Sequence, residues 1–409
     1  MKEEQIEDIL QTAYDNVPYY NHIFRSLGTE VDFEEIPCLT KDKIYEFGPA
    51  NFISGECREA LENDPQSANR IYRIERTSGT TREPLQVLWK RQDYLLSVRH
   101  HWKLRKQFGI YPESRGVIEE RSSARERPVR IRDERLIWNI DRITEDSMNQ
   151  LIEALEEFLP EWLCLPASRV FLLLHYLKRN GKKMPESVRY IEFLGEPLLD
   201  YYRDCVEKEI PVKTANMYGC VETNGIAFEC EYRKLHLMEE NVYTEIVEGN
   251  RVLDRGETGN VCVTGYYNRT MPFLRYRLND RACMPEHGCM CKSRSPVLEL
   301  KNVRLPNLLF FADRSVYGDG ELLYPANNVD AVPVYENSIF FAIHLCRGKI
   351  LERYTVEFEQ VPETKRRKAE NVFTGILEAF GIRDISFEFV YSEHIDKDMQ
   401  YGFLTMFGR

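Results

Sequence analysis

The sequence has no run of about 18 consecutive apolar residues, the length that a membrane-spanning helix needs. Residues 1–5 also lack the basic and apolar segments of a secretory signal peptide, because they are acidic and polar. These two absences predict a cytoplasmic protein with no membrane partner.

An excess of positive charge is missing as well, since 55 lysines and arginines face 66 aspartates and glutamates, which gives a net charge of −11. A face that binds nucleic acid depends on clustered positive charge, so we expect no nucleic-acid partner. The 11 cysteines are odd in number and scattered along the chain. Reduced thiols explain this pattern better than a disulfide framework, in agreement with a cytoplasmic location.

At 409 residues the chain is longer than one average domain, and its hydrophobic content of 43% is enough to fill two cores. Apolar residues at helical spacing predict amphipathic helices over 4–14 and 92–107, with irregular sequence between the first helix and about residue 70. Helices alternate with strands between about 148 and 194, an order that implies a largely parallel sheet with ligands at the carboxyl ends of its strands.

After residue 305 the pattern changes to strand-like runs over 338–345 and 353–358, a helix over about 369–380 and a last strand over 385–390, which is typical of a small α+β domain. We therefore predict a large α/β domain over 1–304, with mixed, largely parallel sheets flanked by helices. A small α+β C-terminal lid domain is predicted over 305–409.

The stretch at 76–87 reads Arg-Thr-Ser-Gly-Thr-Thr-Arg-Glu-Pro-Leu-Gln-Val and joins two predicted strands, at 71–74 and 85–89. Its small residues allow the main chain to approach an anion, so consecutive N–H groups and hydroxyls can surround a polyphosphate. No Gly-Lys-Ser/Thr follows, so the stretch is not a Walker-type loop. From these residues alone, a phosphate-binding loop and a simple turn are both open.

This stretch resembles the Thr-Ser-Gly-Thr-Thr-Gly-x-Pro signature of the adenylate-forming enzymes, the acyl-CoA synthetase superfamily. Further stretches follow in that family's order: Tyr-Gly-Cys-Val-Glu at 218–222, Gly-Glu-Thr-Gly at 256–259 and Arg-Tyr-Arg-Leu-Asn-Asp at 275–280. Val-Pro-Tyr-Tyr at 17–20 and Ile-Pro-Cys-Leu-Thr-Lys at 36–41 are similar to the branch of phenylacetate-CoA ligases and their capsule-biosynthesis relatives. The resemblance covers about residues 10–300.

The resemblance implies a set of residues that bind ATP or AMP. They are Thr77, Ser78, Gly79, Thr80, Thr81, Gly195, Glu196, Pro197, Tyr218, Gly219, Asp280 and Arg304. By the same resemblance, the first five would surround the phosphates, the segment 195–197 would lie beside the adenine, and Asp280 would accept hydrogen bonds from the ribose hydroxyls. Arg304 would be the arginine at the domain junction, although Val303 replaces its usual preceding glycine.

The resemblance also implies catalytic residues. Glu222 would help to hold Mg²⁺, because a hard cation bound to phosphates prefers carboxylate oxygen. Arg82 stands where the family has glycine, and it adds a cation to the phosphate loop. The family's C-terminal lysine follows a glycine, whereas Gly402 here precedes Phe403, so that Lys397 is the lysine nearest to this position. Lys397 is at least equally well explained as a solvated residue between two aspartates.

A second group of residues predicts a metal site. Cys230 and His236 lie close together in sequence, and Cys289 and Cys291 form a Cys-x-Cys pair. Three cysteines and a histidine are a common tetrahedral zinc set, and some phenylacetate-CoA ligase-like proteins resemble this chain in having such pairs. Four protein ligands would make the zinc structural, because no position is left for a substrate. Four unrelated packing residues are the alternative.

Taken together, the resemblance implies an ATP-dependent ligase that makes an acyl-AMP from a carboxylic acid, which is small or aromatic by family analogy, and transfers the acyl group to coenzyme A. An amide- or ester-forming ligase in small-molecule or polysaccharide biosynthesis is an alternative. A degenerate member that binds nucleotide without full activity is another. The expected partners are the small-molecule carboxylate and the acyl acceptor, and the sequence leaves a homodimer open.

Overall fold

The structure, a computed structural model, describes most of the chain up to residue 301 and short segments after it. The described residues are 2–28, 32–77, 85–120, 127–139, 145–195, 198, 200–301, 309–310, 316–317, 349–351, 355–359, 363–364, 366–367, 370–371 and 388–392.

The α-helices are α1 Lys2–Asn16, α2 Pro18–Leu27, α3 Lys41–Phe47, α4 Gly55–Asn63, α5 Pro65–Ile71, α6 Arg91–Arg105, α7 Glu145–Phe158, α8 Ala167–Arg179 and α9 Asp200–Glu209. The first strands are β1 Tyr72–Arg76, β2 Gln86–Lys90, β3 Gly116–Glu120, β4 Val129–Arg132, β5 Arg135–Asn139, β6 Trp162–Leu165 and β7 Tyr190–Leu194. The next are β8 Lys213–Cys220, β9 Asn224–Glu229, β10 Leu235–Leu237, β11 Val242–Glu248, β12 Arg251–Val252, β13 Gly259–Gly265, β14 Tyr276–Cys283 and β15 Val297–Lys301. The last are β16 Leu309–Phe310, β17 Val316–Tyr317, β18 Lys349–Leu351, β19 Thr355–Glu359 and β20 Glu388–Ser392.

The chain divides into two compact units. The first comprises Met1–Tyr111 and Ala215–Val303, and the second comprises Pro112–Thr214 and Arg304–Arg409. The domain boundary predicted after residue 304 falls outside the described residues and stays a prediction.

The N-terminal part of the first unit is helical where irregular sequence was predicted, so that prediction is wrong. The helices α3, α4 and α5 are capped at their N-termini by Thr40, Ser54 and Asp64, whose side chains accept hydrogen bonds from backbone N–H groups three residues later. With 7 to 9 residues each, these helices are too short for apolar periodicity to reveal them. The predicted helices over 4–14 and 92–107 are confirmed by α1 and α6.

The sheet of the first unit is antiparallel. Its strands follow the order β12-β11-β13-β14-β15-β10-β9-β8, and β1 and β2 form a separate antiparallel pair. Short connections such as 221–223 between β8 and β9 can only reverse the chain into a hairpin. Apolar residues from α1, α2, β2, β9 and β13 form one buried core against these strands.

The second unit contains the parallel strands. β3 pairs in parallel with β5 and with β6, and β6 pairs in parallel with β7, whereas β4 is antiparallel to β5. All residues of β6 are buried, as expected for a strand covered on both faces. The predicted mixed α/β fold is thus confirmed, but the prediction of largely parallel sheets is wrong for the first unit, where hairpins take the place of helical crossovers.

Little of the C-terminal region is described. β19 pairs in parallel with β20 and antiparallel with β18, while the predicted strand over 338–345 and most of the predicted helix after residue 368 lie outside the described residues. The α+β lid therefore stays a prediction. Across the part of the chain that the structure describes, no helix is both long and apolar enough to cross a membrane.

Candidate nucleotide and metal sites

The predicted phosphate loop connects β1 to β2, and its two ends are joined at Thr77. The backbone N–H of Thr77 donates to the carbonyl of Leu85 over 3.0 Å, and the Thr77 hydroxyl accepts from the N–H of Leu85 over 2.9 Å. These bonds continue the antiparallel ladder of β1 and β2 by one residue. Thr77 and Leu85 thus form the closed base of the loop, which we call its neck.

Several predicted site residues lie outside the described residues. They are Ser78, Gly79, Thr80, Thr81, Arg82, Glu196, Pro197, Arg304 and Lys397. Gly195, which was predicted beside the adenine, follows β7 in the second unit with a φ of +78°, a conformation that favours glycine.

Glu222 lies in the tight connection between β8 and β9. The carbonyl of Val221 accepts a hydrogen bond of 3.2 Å from the indole of Trp89, so the hairpin is attached to β2. Gly219 is needed just before it, because a Cβ there would lie 2.4 Å from the carbonyl oxygen of Asn224. The hairpin therefore holds Glu222 in a fixed position.

The Glu222 side chain is 5% exposed and keeps specific partners. Burial raises the pKa of its carboxyl group, while a hydrogen bond from Tyr276 and the positive charge of Lys41 act in the opposite direction. An ionised carboxylate is a suitable oxygen ligand for a hard metal ion. Neither Tyr276 nor Lys41 could be assigned a role from the sequence alone.

The structure brings two predicted nucleotide-binding residues into direct contact. The hydroxyl of Tyr218, on β8, donates to Oδ2 of Asp280, on β14, over 2.9 Å, although the residues are 62 positions apart in sequence. Tyr276, which contacts Glu222, lies four positions before Asp280 on the same strand, and the register of β14 with β13 shifts between the two residues. The strand β14 thus carries both Asp280 and the tyrosine that contacts Glu222.

Arg275, the first residue of the 275–280 motif, is fully buried and has a packing role. Its guanidinium pairs with Glu245 at 3.0 Å and donates to the carbonyls of Glu34, of Ile36 over 2.8 Å and of Asn250 over 3.1 Å. These contacts attach the N-terminal segment to the sheet. The motif therefore combines a structural arginine with Asp280 at its other end.

The four predicted zinc ligands converge in the first unit. The ligand atoms of Cys230, His236, Cys289 and Cys291 all lie within 4.8 Å of one another. Sγ of Cys230 is 3.6 Å from Sγ of Cys289, and Sγ of Cys291 is 3.2 Å from Nε2 of His236. Zn–S bonds of ~2.3 Å at tetrahedral angles would separate two sulfurs by about 3.8 Å, so these distances fit a zinc ion.

The surroundings of this cluster also suit a metal. Nδ1 of His236 lies 2.8 Å from the carbonyl of Ser295, so Nδ1 carries the proton and Nε2 presents its lone pair to the cysteines. Burial raises the pKa of the Cys230 thiol to about 11. At Cys289 burial acts in the same direction, but hydrogen bonds from the Cys291 backbone and the His236 side chain lower its pKa to about 7. A cluster in which one thiol ionises readily is prepared to bind a cation.

No known protein-family model matches the chain, but two characterised proteins are similar to it in sequence. It is 22% identical over 358 residues to a phenylacetate-coenzyme A ligase of Thermus thermophilus. The matched region covers 81% of this chain and 74% of that enzyme. It is also 29% identical over 135 residues to protein CapK of Staphylococcus aureus, which covers 33% of this chain and 29% of that protein.

Among solved structures, the fold is similar to that of a 2-hydroxyisobutyryl-CoA ligase. The TM-score is 0.62 at 14% identity for that enzyme in the postadenylation state with R3-HIB-AMP, over 97% of this chain and 86% of the other. The same enzyme in the thioesterification state, with 2-HIB-AMP and CoA, also gives 0.62 at 15% identity, over 99% and 88% of the two chains. At such identities the likeness shows the fold.

Proposed function

We propose that this chain is an adenylate-forming CoA ligase, which activates a carboxylic acid with ATP as an acyl-AMP and transfers the acyl group to coenzyme A. In the first step a carboxylate oxygen bonds to the α-phosphorus and pyrophosphate leaves. In the second, the sulfur of the coenzyme A thiol bonds to the acyl carbon, the acyl C–O bond to AMP breaks, and the thiol proton is released to solvent. The observation that carries the proposal is the arrangement around β14, where Asp280 contacts Tyr218 and Tyr276 contacts Glu222.

Different residues of the described part of the chain would bind different parts of ATP. Asp280 accepts one hydrogen bond from Tyr218 and has acceptor capacity left for the two hydroxyls of a ribose. Thr77 holds the neck of the loop whose hydroxyls and N–H groups would surround the phosphates. Separate contacts to the ribose and to the phosphates suit phosphoryl chemistry, because an enzyme catalyses it mainly by positioning the reactants and stabilising charge.

Glu222 is the residue that we propose as the ligand of Mg²⁺. When bound, Mg²⁺ would neutralise phosphate charge. A cation beside Glu222 would favour the ionised carboxylate against the burial that raises its pKa. The roles of Arg82 and Lys397 as alternative cations of the adenylation step, of Arg304 at the ribose and of 195–197 at the adenine remain parts of the proposal.

A structural zinc ion is the second part of the proposal. Cys230, His236, Cys289 and Cys291 would bind it with all four tetrahedral positions, so it would take no part in the reaction. It would connect the turn after β9 to the loop between β14 and β15 and thereby stabilise one end of the sheet.

Exchange of labelled pyrophosphate into ATP across a panel of carboxylic acids tests the adenylation step. We expect exchange with a small or aromatic acid and thioester formation when coenzyme A is added. Transfer to an amine or hydroxyl in place of coenzyme A would support the amide- or ester-forming ligase. Binding of ATP without exchange for any acid would support the degenerate nucleotide-binding protein and contradict the proposed activity.

A further inference from the structure

Lys41 lies at the neck of the predicted phosphate loop, although it is 36 residues away from that loop in sequence. Its ammonium group donates to the hydroxyl of Thr77 over 3.4 Å. That hydroxyl is also the acceptor of the bond from Leu85 that closes the neck. The positive charge of Lys41 therefore lies where the loop begins.

The backbone around Lys41 is held on both sides. Leu39 forms a parallel bridge with Tyr276: its N–H donates to the carbonyl of Arg275 over 2.9 Å, and its carbonyl accepts from Arg277 over 2.8 Å. Thr40 then caps α3, with its hydroxyl accepting from the N–H of Lys43 over 3.3 Å. Lys41 is the first residue of this helix, so its Cα is fixed next to β14.

The side chain of Lys41 also lies next to the candidate site. It is partly buried, and its ammonium group lies 5.9 Å from the centre of the Tyr45 ring. Burial raises the pKa of Glu222, the proposed magnesium ligand, and the charge of Lys41 opposes that rise. One ammonium group thus acts on both the phosphate loop and the metal-binding carboxylate.

A bound triphosphate would bring several negative charges to this place, where Glu222 already contributes one. Phosphoryl transfer requires cations to offset this charge, and a lysine ammonium is a common point charge for that purpose. Lys41 contacts the loop side of the site, whereas Tyr218 and Asp280 form the side proposed for the ribose. The position of Lys41 thus matches the phosphates that lie farther from the ribose.

We propose that Lys41 binds the β- and γ-phosphates of ATP and stabilises the pyrophosphate that leaves when the acyl-AMP forms. It transfers no proton: the carboxylate of the acid bonds to the α-phosphorus, and the electron pair of the broken P–O bond leaves with the pyrophosphate beside the ammonium. This inference rests on the nucleotide chemistry proposed above.

The test uses the full chain and compares Lys41→Met with Lys43→Met. Lys43 is on the same helix, but its ammonium donates to the carbonyl of Cys38 over 3.0 Å, so this variant removes an equal charge without touching the loop. Calorimetry measures the Kd of Mg·ATP, Mg·pyrophosphate and AMP, and thermal melting verifies that each variant is folded.

We expect Lys41→Met to raise the Kd of ATP and of pyrophosphate by about 10- to 100-fold, as for the loss of a charge-assisted hydrogen bond. The Kd of AMP, and all values for Lys43→Met, should stay within about twofold of the wild type. Lys41→Arg should recover part of the loss, because it restores the charge with a different shape.

Unchanged ATP affinity in folded Lys41→Met would overturn the inference, as would an equal loss for AMP and ATP or an equal loss in Lys43→Met. A wild-type protein that binds ATP but exchanges no pyrophosphate would contradict only the proposed ligase activity. The role of Lys41 would still be decided by comparing the Kd of ATP for the wild type with that for Lys41→Met. A wild-type protein that binds neither ATP nor pyrophosphate would overturn both.

Discussion

Replacing Cys289 by serine should remove the proposed zinc ion and lower the thermal stability of the protein. Sγ of Cys289 lies 3.6 Å from Sγ of Cys230, so the two sulfurs would share one metal ion. Serine has nearly the same size but is a poor ligand for zinc, which prefers sulfur and nitrogen. The substitution therefore changes the metal site with little effect on packing.

The size of the effect can be worked out from the loop that the zinc would close. Cys230 and Cys289 are 59 residues apart. Cross-linking a loop of that length removes chain entropy from the unfolded state worth about 4 kcal/mol near room temperature. An unfolding entropy of about 2.1 cal/mol/K per residue then gives about 0.9 kcal/mol/K for 409 residues, so Tm should fall by about 5 °C if both units unfold together.

Elemental analysis of protein purified without added metal measures the zinc, and calorimetry measures Tm. We expect about one zinc per chain in the wild type, as for a closed four-ligand site, and less in Cys289→Ser. His287→Ala is the matched control, because His287 is an exposed histidine two residues from Cys289 and outside the ligand set. Pyrophosphate exchange below the melting temperature should persist in both variants, since no zinc position is open to substrate.

Wild-type protein that contains no zinc, and whose Tm is unchanged in Cys289→Ser, would refute the metal site. Zinc that stays bound at full stoichiometry in the serine variant would mean that the ligand set is wrong. Loss of zinc together with loss of exchange at low temperature would refute the structural role.

Three further predictions concern the nucleotide site and its support. Glu222→Gln should reduce Mg-dependent exchange by at least about 10-fold, which is the smallest loss typical of a residue that only supports a metal ligand. The substitution should not reduce stability at neutral pH, because burial raises the pKa of Glu222 above its unfolded-state value, so that ionising the side chain costs stability in the folded protein. This cost is complete above the folded-state pKa, decreases as the pH falls below it, and is gone below the unfolded-state pKa. Calorimetry at several pH values checks this sign, and a variant less stable than the wild type at neutral pH would contradict it. Tyr218→Phe should raise the KM for ATP, though less than Asp280→Ala, which removes an acceptor worth on the order of 1.5–3 kcal/mol; equal KM values in all three proteins would mean that Asp280 is misassigned. Arg275→Met should destabilise the fold by about 3–5 kcal/mol in denaturant unfolding, because Glu245 is left buried and unpaired. Its control, Arg281→Met, breaks an exposed pair and should cost less than about 1 kcal/mol, so similar losses in both would refute the buried-pair argument.

The sequence was enough to predict features that depend on residue type and short spacing. The amphipathic helices, the strands on either side of the phosphate loop and the mixed α/β fold follow from apolar periodicity, and they are present in the structure. The four candidate zinc ligands could also be selected, because three cysteines and a histidine are a common tetrahedral set and the resemblance implies such pairs at these positions. Their convergence agrees with that selection.

Other features were decided only by the tertiary structure, because they depend on which strands become neighbours. Tyr218 contacts Asp280 across a sequence separation of 62 positions, and Lys41 contacts Thr77 across 36. Sheet register and core packing bring these pairs together, and no local sequence pattern encodes them. In the same way, Arg275 becomes a buried support for the N-terminal segment even though its motif suggested only a nucleotide site. Residue chemistry thus determined which groups this protein can use, and long-range pairing determined which of them meet.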